Sequence, residues 1–263
     1  MLRPEDVKIV FPLDVPTLDQ GRALMADVGE VIDIPKVGLE LTHFVGTPAA
    51  VAMTKEFGKP PFVDAKLNDI PATVKGAAKG ITSHGVYAFN VMASGGRPMM
   101  EAAMEGADEM AKEMSIERPR VIAVTVLTSL KPEHLIELGL LPEILERMSD
   151  KEKQAAINEL AIRWARASVK AGVDIILSSP KEVAEIHARW PEMVLYTPGI
   201  RMPYSPPDDQ ARTMTPGEAV LNGSKYLVVG RPIRKPEGGR TRKQVVAEIR
   251  ADISQAIAGQ MAP

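Results

Sequence analysis

The chain has 263 residues, enough for one large α/β barrel or two smaller domains, and its 45% hydrophobic and 25% charged residues are ordinary for a globular protein. Its 34 acidic residues nearly cancel its 32 basic ones, so neither nucleic acid nor a membrane surface is implied as a partner. With no cysteine, disulfides, thiolate metal sites and a cysteine nucleophile are excluded.

Short β-type runs recur along the chain with helical patterns between them. Residues 8–14 (KIVFPLD) predict a first strand and 31–38 (VIDIPKVG) a second. The third, 61–67 (PFVDAKL), begins as a buried run yet carries Asp64 and Lys66, and Asp69 follows before Pro71 turns the chain toward a helix. A fourth strand at 88–93 precedes an amphipathic helix at 97–114, and a fifth at 120–127 precedes a helix at 155–172. The sixth, seventh and eighth strands fall at 174–179, 193–199 and 226–232. A last helix spans 241–259, with Thr241 as N-cap and Gly259 at its end. Strict alternation of strand and helix calls for a parallel sheet with right-handed crossovers. Eight such units predict a TIM (β/α)8 barrel, a single domain over residues 1–263. A doubly wound open sheet is the alternative, but no GxGxxG follows the first strand. No signal-peptide pattern or bilayer-spanning apolar run occurs, so a cytoplasmic protein is expected. The loop 201–210 (RMPYSPPDDQ) reads either as a variable surface loop or as an active-site lid.

The four histidines, His43, His84, His134 and His187, are scattered without metal-ligand spacing, so any catalysis must rest on Lys, Asp and Arg. In a barrel such groups sit at the carboxyl ends of the strands. Those ends read Asp14, Lys36, Asp64 with Lys66, Asn90, Thr125 with Thr128, Ser178 with Ser179, Arg201, and Gly230 with Arg231. On a strand, residues i and i+2 face the same way, so Asp64 and Lys66 project together, and Lys36 approaches from the neighbouring strand. The bland reading is a buried salt-bridge cluster that fixes strand register. Asp69 reads equally as an N-cap, with Pro71 in the first turn of the next helix. A lysine between carboxylates with a distant arginine suggests proton chemistry on a phosphorylated substrate.

DAKLNDIPATV at 64–74 resembles the D-x-K-x-x-D signature of the orotidine 5′-monophosphate decarboxylase family. LD at 13–14, KVGLEL at 36–41, AVTVLTS at 123–129, TPGIR at 197–201 and VVGRPI at 228–233 resemble further blocks of that family, in its order. The resemblance implies a charged array of Lys36, Asp64, Lys66 and Asp69 at the reacting carbon, with Lys66 as proton donor to C6 and no metal or organic cofactor. Asp69 and Thr73 would reach the partner subunit's ligand in a homodimer with shared active sites. Asp14 and Lys36 would hold ribose hydroxyls, Thr128 or Ser129 would lie near the pyrimidine, and Pro198 would line the pocket. Gln210, Gly230 and Arg231 would grip the 5′-phosphate, with Arg201 at the base of a closing lid. The chain departs from the family in four places. Met92 and Asn68 stand where His is common, PYSPP makes the lid rich in proline, and the segment 131–155 is long. A metal-dependent sugar-phosphate decarboxylase would share Asp64, Lys66 and Asp69 but need a further carboxylate, for which Glu40 is the nearest candidate. A Schiff-base aldolase would use Lys36 or Lys66 as nucleophile, although paired carboxylates keep a lysine protonated.

Overall fold

Runs with a period of two that alternate with helical segments pair most simply when each strand lies beside its predecessor and the helix between them covers the outer face. The computed structural model describes residues 2–205 and 213–261, and over these the strands close into a parallel barrel in sequence order, the first paired with the eighth. They are β1 (Lys8–Pro12), β2 (Ile34–Val37), β3 (Phe62–Leu67), β4 (Ala88–Met92), β5 (Arg120–Val124), β6 (Ile175–Leu177), β7 (Val194–Thr197) and β8 (Tyr226–Val228). All are shorter than their sequence runs; most lose residues at the carboxyl end, where they form loops, whereas β3 loses only Pro61.

The helical coat begins with α1 (Leu18–Val28), α2 (Leu39–Val45), α3 (Thr47–Lys55), α4 (Pro71–Thr82) and α5 (Arg97–Met114). It continues with α6 (Pro132–Glu137), α7 (Asp150–Ala171), α8 (Val183–Arg189), α9 (Pro216–Leu221), α10 (Arg231–Arg234) and α11 (Arg242–Met261). Helix starts follow their residues: Pro71 opens α4, Ser149 and Glu152 close a capping box on α7, and the Thr241 hydroxyl accepts from the Gln244 amide at α11. The long segment expected at 131–155 is α6 and a 3-10 turn at Glu143–Arg147, seated by Leu135, Leu141 and Leu145 on Ile157 and Leu160 of α7.

Inside the barrel, each strand contributes one apolar residue to a closed layer: Val10, Ile34, Phe62, Ala88, Ile122, Ile175, Tyr196 and Val228. Burying a large apolar side chain stabilises by about 1.5–3 kcal/mol, so this layer is a packed floor rather than a pore. Within it the Tyr196 ring meets Phe62 edge-on at 5.8 Å, and against it Tyr226 stacks on Tyr196 at 4.4 Å. The Tyr87 and Tyr226 hydroxyls pair at 2.8 Å, and together these rings close the amino end. Any cavity the barrel offers must therefore open at the other end.

Candidate active site

Two residues further along each strand, the chain returns to the barrel interior one layer higher. Counting from the floor gives Pro12, Lys36, Asp64, Asn90, Val124, Leu177, Pro198 and Gly230. All of these except Asn90 line a cavity of about 480 Å³, a size suited to a small ligand. Lys66 at the end of β3, the loop residues Asp14, Thr128, Ser179 and Arg201, and Arg231 and Arg234 of α10 also line it.

Its charged centre is compact. Lys36 Nζ lies 2.7 Å from Asp64 Oδ2 and 3.6 Å from Asp14 Oδ1, while Lys66 Nζ lies 2.6 Å from Asp64 Oδ1. Asp64 and Lys36 are both buried. Burial opposes the charge on Asp64, but the Lys36 and Lys66 ammonium groups outweigh it and hold its carboxyl well below the usual carboxylate range. Burial likewise works against Lys36, and Asp64 and Asp14 overcome it, so that its ammonium is retained above the ordinary lysine range.

Asp64 and Lys66 meet for a different reason from the one the spacing suggests. A regular strand would hold their Cα atoms roughly 6.6 Å apart with parallel side chains. Here the register between β3 and β4 shifts between Val63 and Leu67, and Lys66 takes the left-handed conformation at φ +48°. This irregularity turns the lysine back onto the carboxylate.

The other expected residues divide into three groups. Pro198, Thr128, Arg201, Gly230 and Arg231 line the cavity with the charged centre, whereas Ser129 is exposed and stands outside the lining. A Cβ at Gly230 would meet only Pro12, at 3.5 Å, so packing alone would accept a side chain there; the open cavity is the better reason for glycine. Asp69 and Thr73 are exposed and outside this chain's cavity. Asp69 does not cap α4 in the expected way: the N-cap position is Ile70, and the Asp69 carboxylate accepts only from the adjacent Ile70 amide at 2.6 Å. Gln210, with the rest of 206–210 in the expected lid, lies outside the described residues. The flanks of that loop are described. Ile200 bridges Met214, and Tyr204 hydrogen-bonds Glu248 while its ring faces the Arg240 guanidinium at 4.0 Å.

Two polar strand ends are structural instead. Thr125 is buried with its hydroxyl on the Leu177 carbonyl, and Ser178 lies behind the wall on Glu182, leaving Ser179 to line the cavity. Glu40 is exposed in the first turn of α2 and does not line the cavity. Sequence reasoning missed Arg234, whose guanidinium donates to the Asp14 carbonyl at 2.9 Å and pairs with its carboxylate at 3.3 Å. Its only signal was a second arginine three residues after Arg231.

A closed eight-stranded barrel with a charged concave site at the carboxyl ends of its strands defines the (β/α)8 class in which enzymes place their catalytic groups. The comparisons narrow the class. The model of the orotidine 5′-phosphate decarboxylase / HUMPS family matches residues 8–244, and the chain belongs to that family. Orotidine 5′-phosphate decarboxylase of Moorella thermoacetica is 41% identical over 245 residues, covering 92% of each chain. That of Heliobacterium modesticaldum is 37% identical over 247 residues, covering 92% of this chain and 95% of the other. Among solved structures, orotidine 5′-phosphate decarboxylase from Lactobacillus acidophilus matches with a TM-score of 0.75 at 27% identity, over 94% of this chain and 99% of that one. An uncharacterized conserved protein from Geobacillus kaustophilus matches with a TM-score of 0.73 at 31% identity, over 93% and 99%.

Proposed function

We propose that this chain decarboxylates orotidine 5′-monophosphate to UMP and CO2, the last step of de novo UMP biosynthesis, without metal or organic cofactor. The observation that carries the reading is Asp64 held anionic between two ammonium groups at 2.7 and 2.6 Å, in a cavity that Arg231 also lines. Family membership supports the same reaction, and Glu40, the carboxylate a metal-dependent sugar-phosphate enzyme would recruit, stands away from the cavity.

Chemically, the C6–carboxylate bond breaks, its electron pair stays on C6, and CO2 leaves. Asp64 faces the substrate carboxylate and opposes two adjacent negative charges until that departure. Lys66 stabilises the developing carbanion and gives it a proton, becoming a neutral amine that solvent reprotonates. Such a centre lowers the barrier because its charges are in place before the reaction begins. Arg231, with the Gly230 and Arg231 backbone, holds the 5′-phosphate, so that remote binding energy positions the ring. Asp14 and Lys36 take the ribose hydroxyls, and Arg234 keeps Asp14 in place. Thr128 and Pro198 flank the base, and Arg201 stands at the cavity rim. Asp69 and Thr73 act in the partner subunit's site of a homodimer, an arrangement supported by their exposure and by Ile70 between them, which is 66% exposed. Across the described residues no helix is long and apolar enough to cross a membrane, and we place the reaction in the cytoplasm.

The test is the loss of orotidine 5′-monophosphate absorbance in EDTA by wild type, Lys66→Ala and Arg231→Ala. Wild type should turn over. Lys66→Ala should lose about 10³-fold or more in kcat, and Arg231→Ala should raise KM by roughly 10- to 100-fold, as expected for one charged contact to phosphate. No turnover by folded wild type, or turnover lost to EDTA, would overturn the reading.

A further inference from the structure

Among the eight residues of the cavity-floor layer, Asn90 alone is hidden from the cavity, and it is completely buried. Branched apolar side chains dominate such barrel layers, so an amide here must find partners or leave buried polar atoms unpaired. It finds two, both belonging to the charged centre. Its Nδ2 donates to Asp64 Oδ1 at 2.6 Å, and its Oδ1 accepts from the Lys66 backbone N–H at 2.6 Å.

We propose that Asn90 is a positioning residue for the reaction: one side chain fixes both the left-handed turn that presents Lys66 and the carboxylate that Lys66 faces. The inference rests on the roles proposed above for Asp64 and Lys66. A lysine gains nothing locally from φ +48°, a region in which its Cβ crowds the following carbonyl oxygen. Something outside the residue must hold it there. The Asn90 acceptor sits on the neighbouring strand within the stretch, Val63 to Leu67, where the ladder changes register. Without that acceptor the strand would lose the contact that holds it out of the regular pleat, and in the regular pleat Lys66 Nζ would be carried away from Asp64. The donor side of the amide acts on the same pair: Asp64 Oδ1 accepts from both Asn90 and Lys66, while Oδ2 is left to Lys36. Asn90 thus fixes the angle at which the proton donor meets its carboxylate, without touching the ligand.

The experiment compares Asn90→Leu, near in volume but without either bond, with wild type. Readouts are kcat, KM, affinity for UMP, melting temperature and hydrogen exchange of the Lys66 amide. Asn90→Leu should lose about 100-fold in kcat, as a displacement near 1 Å does, while UMP affinity stays within about threefold and the Lys66 amide exchanges faster. Asn90→Asp keeps an acceptor for that amide but sets a second carboxylate against Asp64, so amide protection should return while kcat stays low. If Asn90→Leu does not fold, Asn90→Ser, too short to reach both partners, takes its place. A kcat within twofold of wild type, or a parallel loss of UMP affinity, overturns the positioning role. Should wild type leave orotidine 5′-monophosphate untouched, the reaction assigned above falls. The exchange rate of Lys66 then decides the clamp alone, and an unchanged rate in Asn90→Leu overturns it.

Discussion

At Asp64, burial and ion pairing pull in opposite directions, and pairing wins. A carboxyl held below its ordinary value of 3.8 adds stability above that pH and loses it as the pH falls through the folded value. Lys36 runs the other way. Its contribution is complete below 10.5 and is lost only as the pH rises through its higher folded value. Asp64 and Lys36 should therefore stay charged across the neutral range, and Asp64 should not supply the acid limb of any rate profile. Asp64→Asn leaves two ammonium groups without their shared anion, which should cost roughly 3–5 kcal/mol near neutrality. That gap should hold from neutrality down to about pH 4 and narrow only as the pH falls below 3.8 toward the folded value, measured as melting temperature of both proteins against pH. A constant gap would deny Asp64 its depressed pKa. Lys36, Asp64 and Lys66 were legible in the sequence because charge is rare in strand interiors. Asn90 was legible only as a polar strand end, not as their clamp, since such an amide has an ordinary solvated reading and its partners lie 24 and 26 residues away.

Strands and helices were easier to read than the detail inside them. The helix expected at 97–114 is α5 itself, because Met99, Met100, Ala103, Ala107 and Ala111 repeat along one buried face. The bend in β3 escaped the pattern, for period-two spacing assumes the pleat that Lys66 abandons. Equally invisible was how closely α4 and α5 approach. At Gly106 an added Cβ would lie 2.4 Å from the Lys75 carbonyl oxygen and 3.1 Å from Ala78 Cβ. Gly106→Ala must therefore push α4 outward, at a cost of about 1–3 kcal/mol. Thermal unfolding should register that cost, and activity should fall with it, since α4 carries Thr73 and begins two residues after Asp69. A variant as stable as wild type would mean that the helices separate freely.

On the scale of the molecule, the eight units and their closure were predictable from alternation alone, whereas the completeness of one site within one chain was not. Asp69, Ile70 and Thr73 are exposed and do not line their own chain's cavity, and Phe44 on α2 is 71% exposed. If these groups serve a second copy, Lys66→Ala and Asp69→Ala proteins, each inactive, should recover about a quarter of wild-type activity when refolded together, because half the dimers then carry one intact site. Failure to complement would place Asp69 in its own subunit's chemistry. The cavity wall has a further consequence, for encounter rather than turnover. The chain carries a net charge of −2, yet the described residues lining the cavity include five cationic side chains, Lys36, Lys66, Arg201, Arg231 and Arg234, against the anionic Asp14 and Asp64. A multiply charged anion is thus drawn to the mouth of the barrel and only weakly repelled elsewhere. Its association rate should fall by roughly tenfold between 10 mM and 500 mM salt while that of an uncharged nucleoside stays flat, because a low-salt Debye length of about 30 Å spans the barrel and a high-salt one does not.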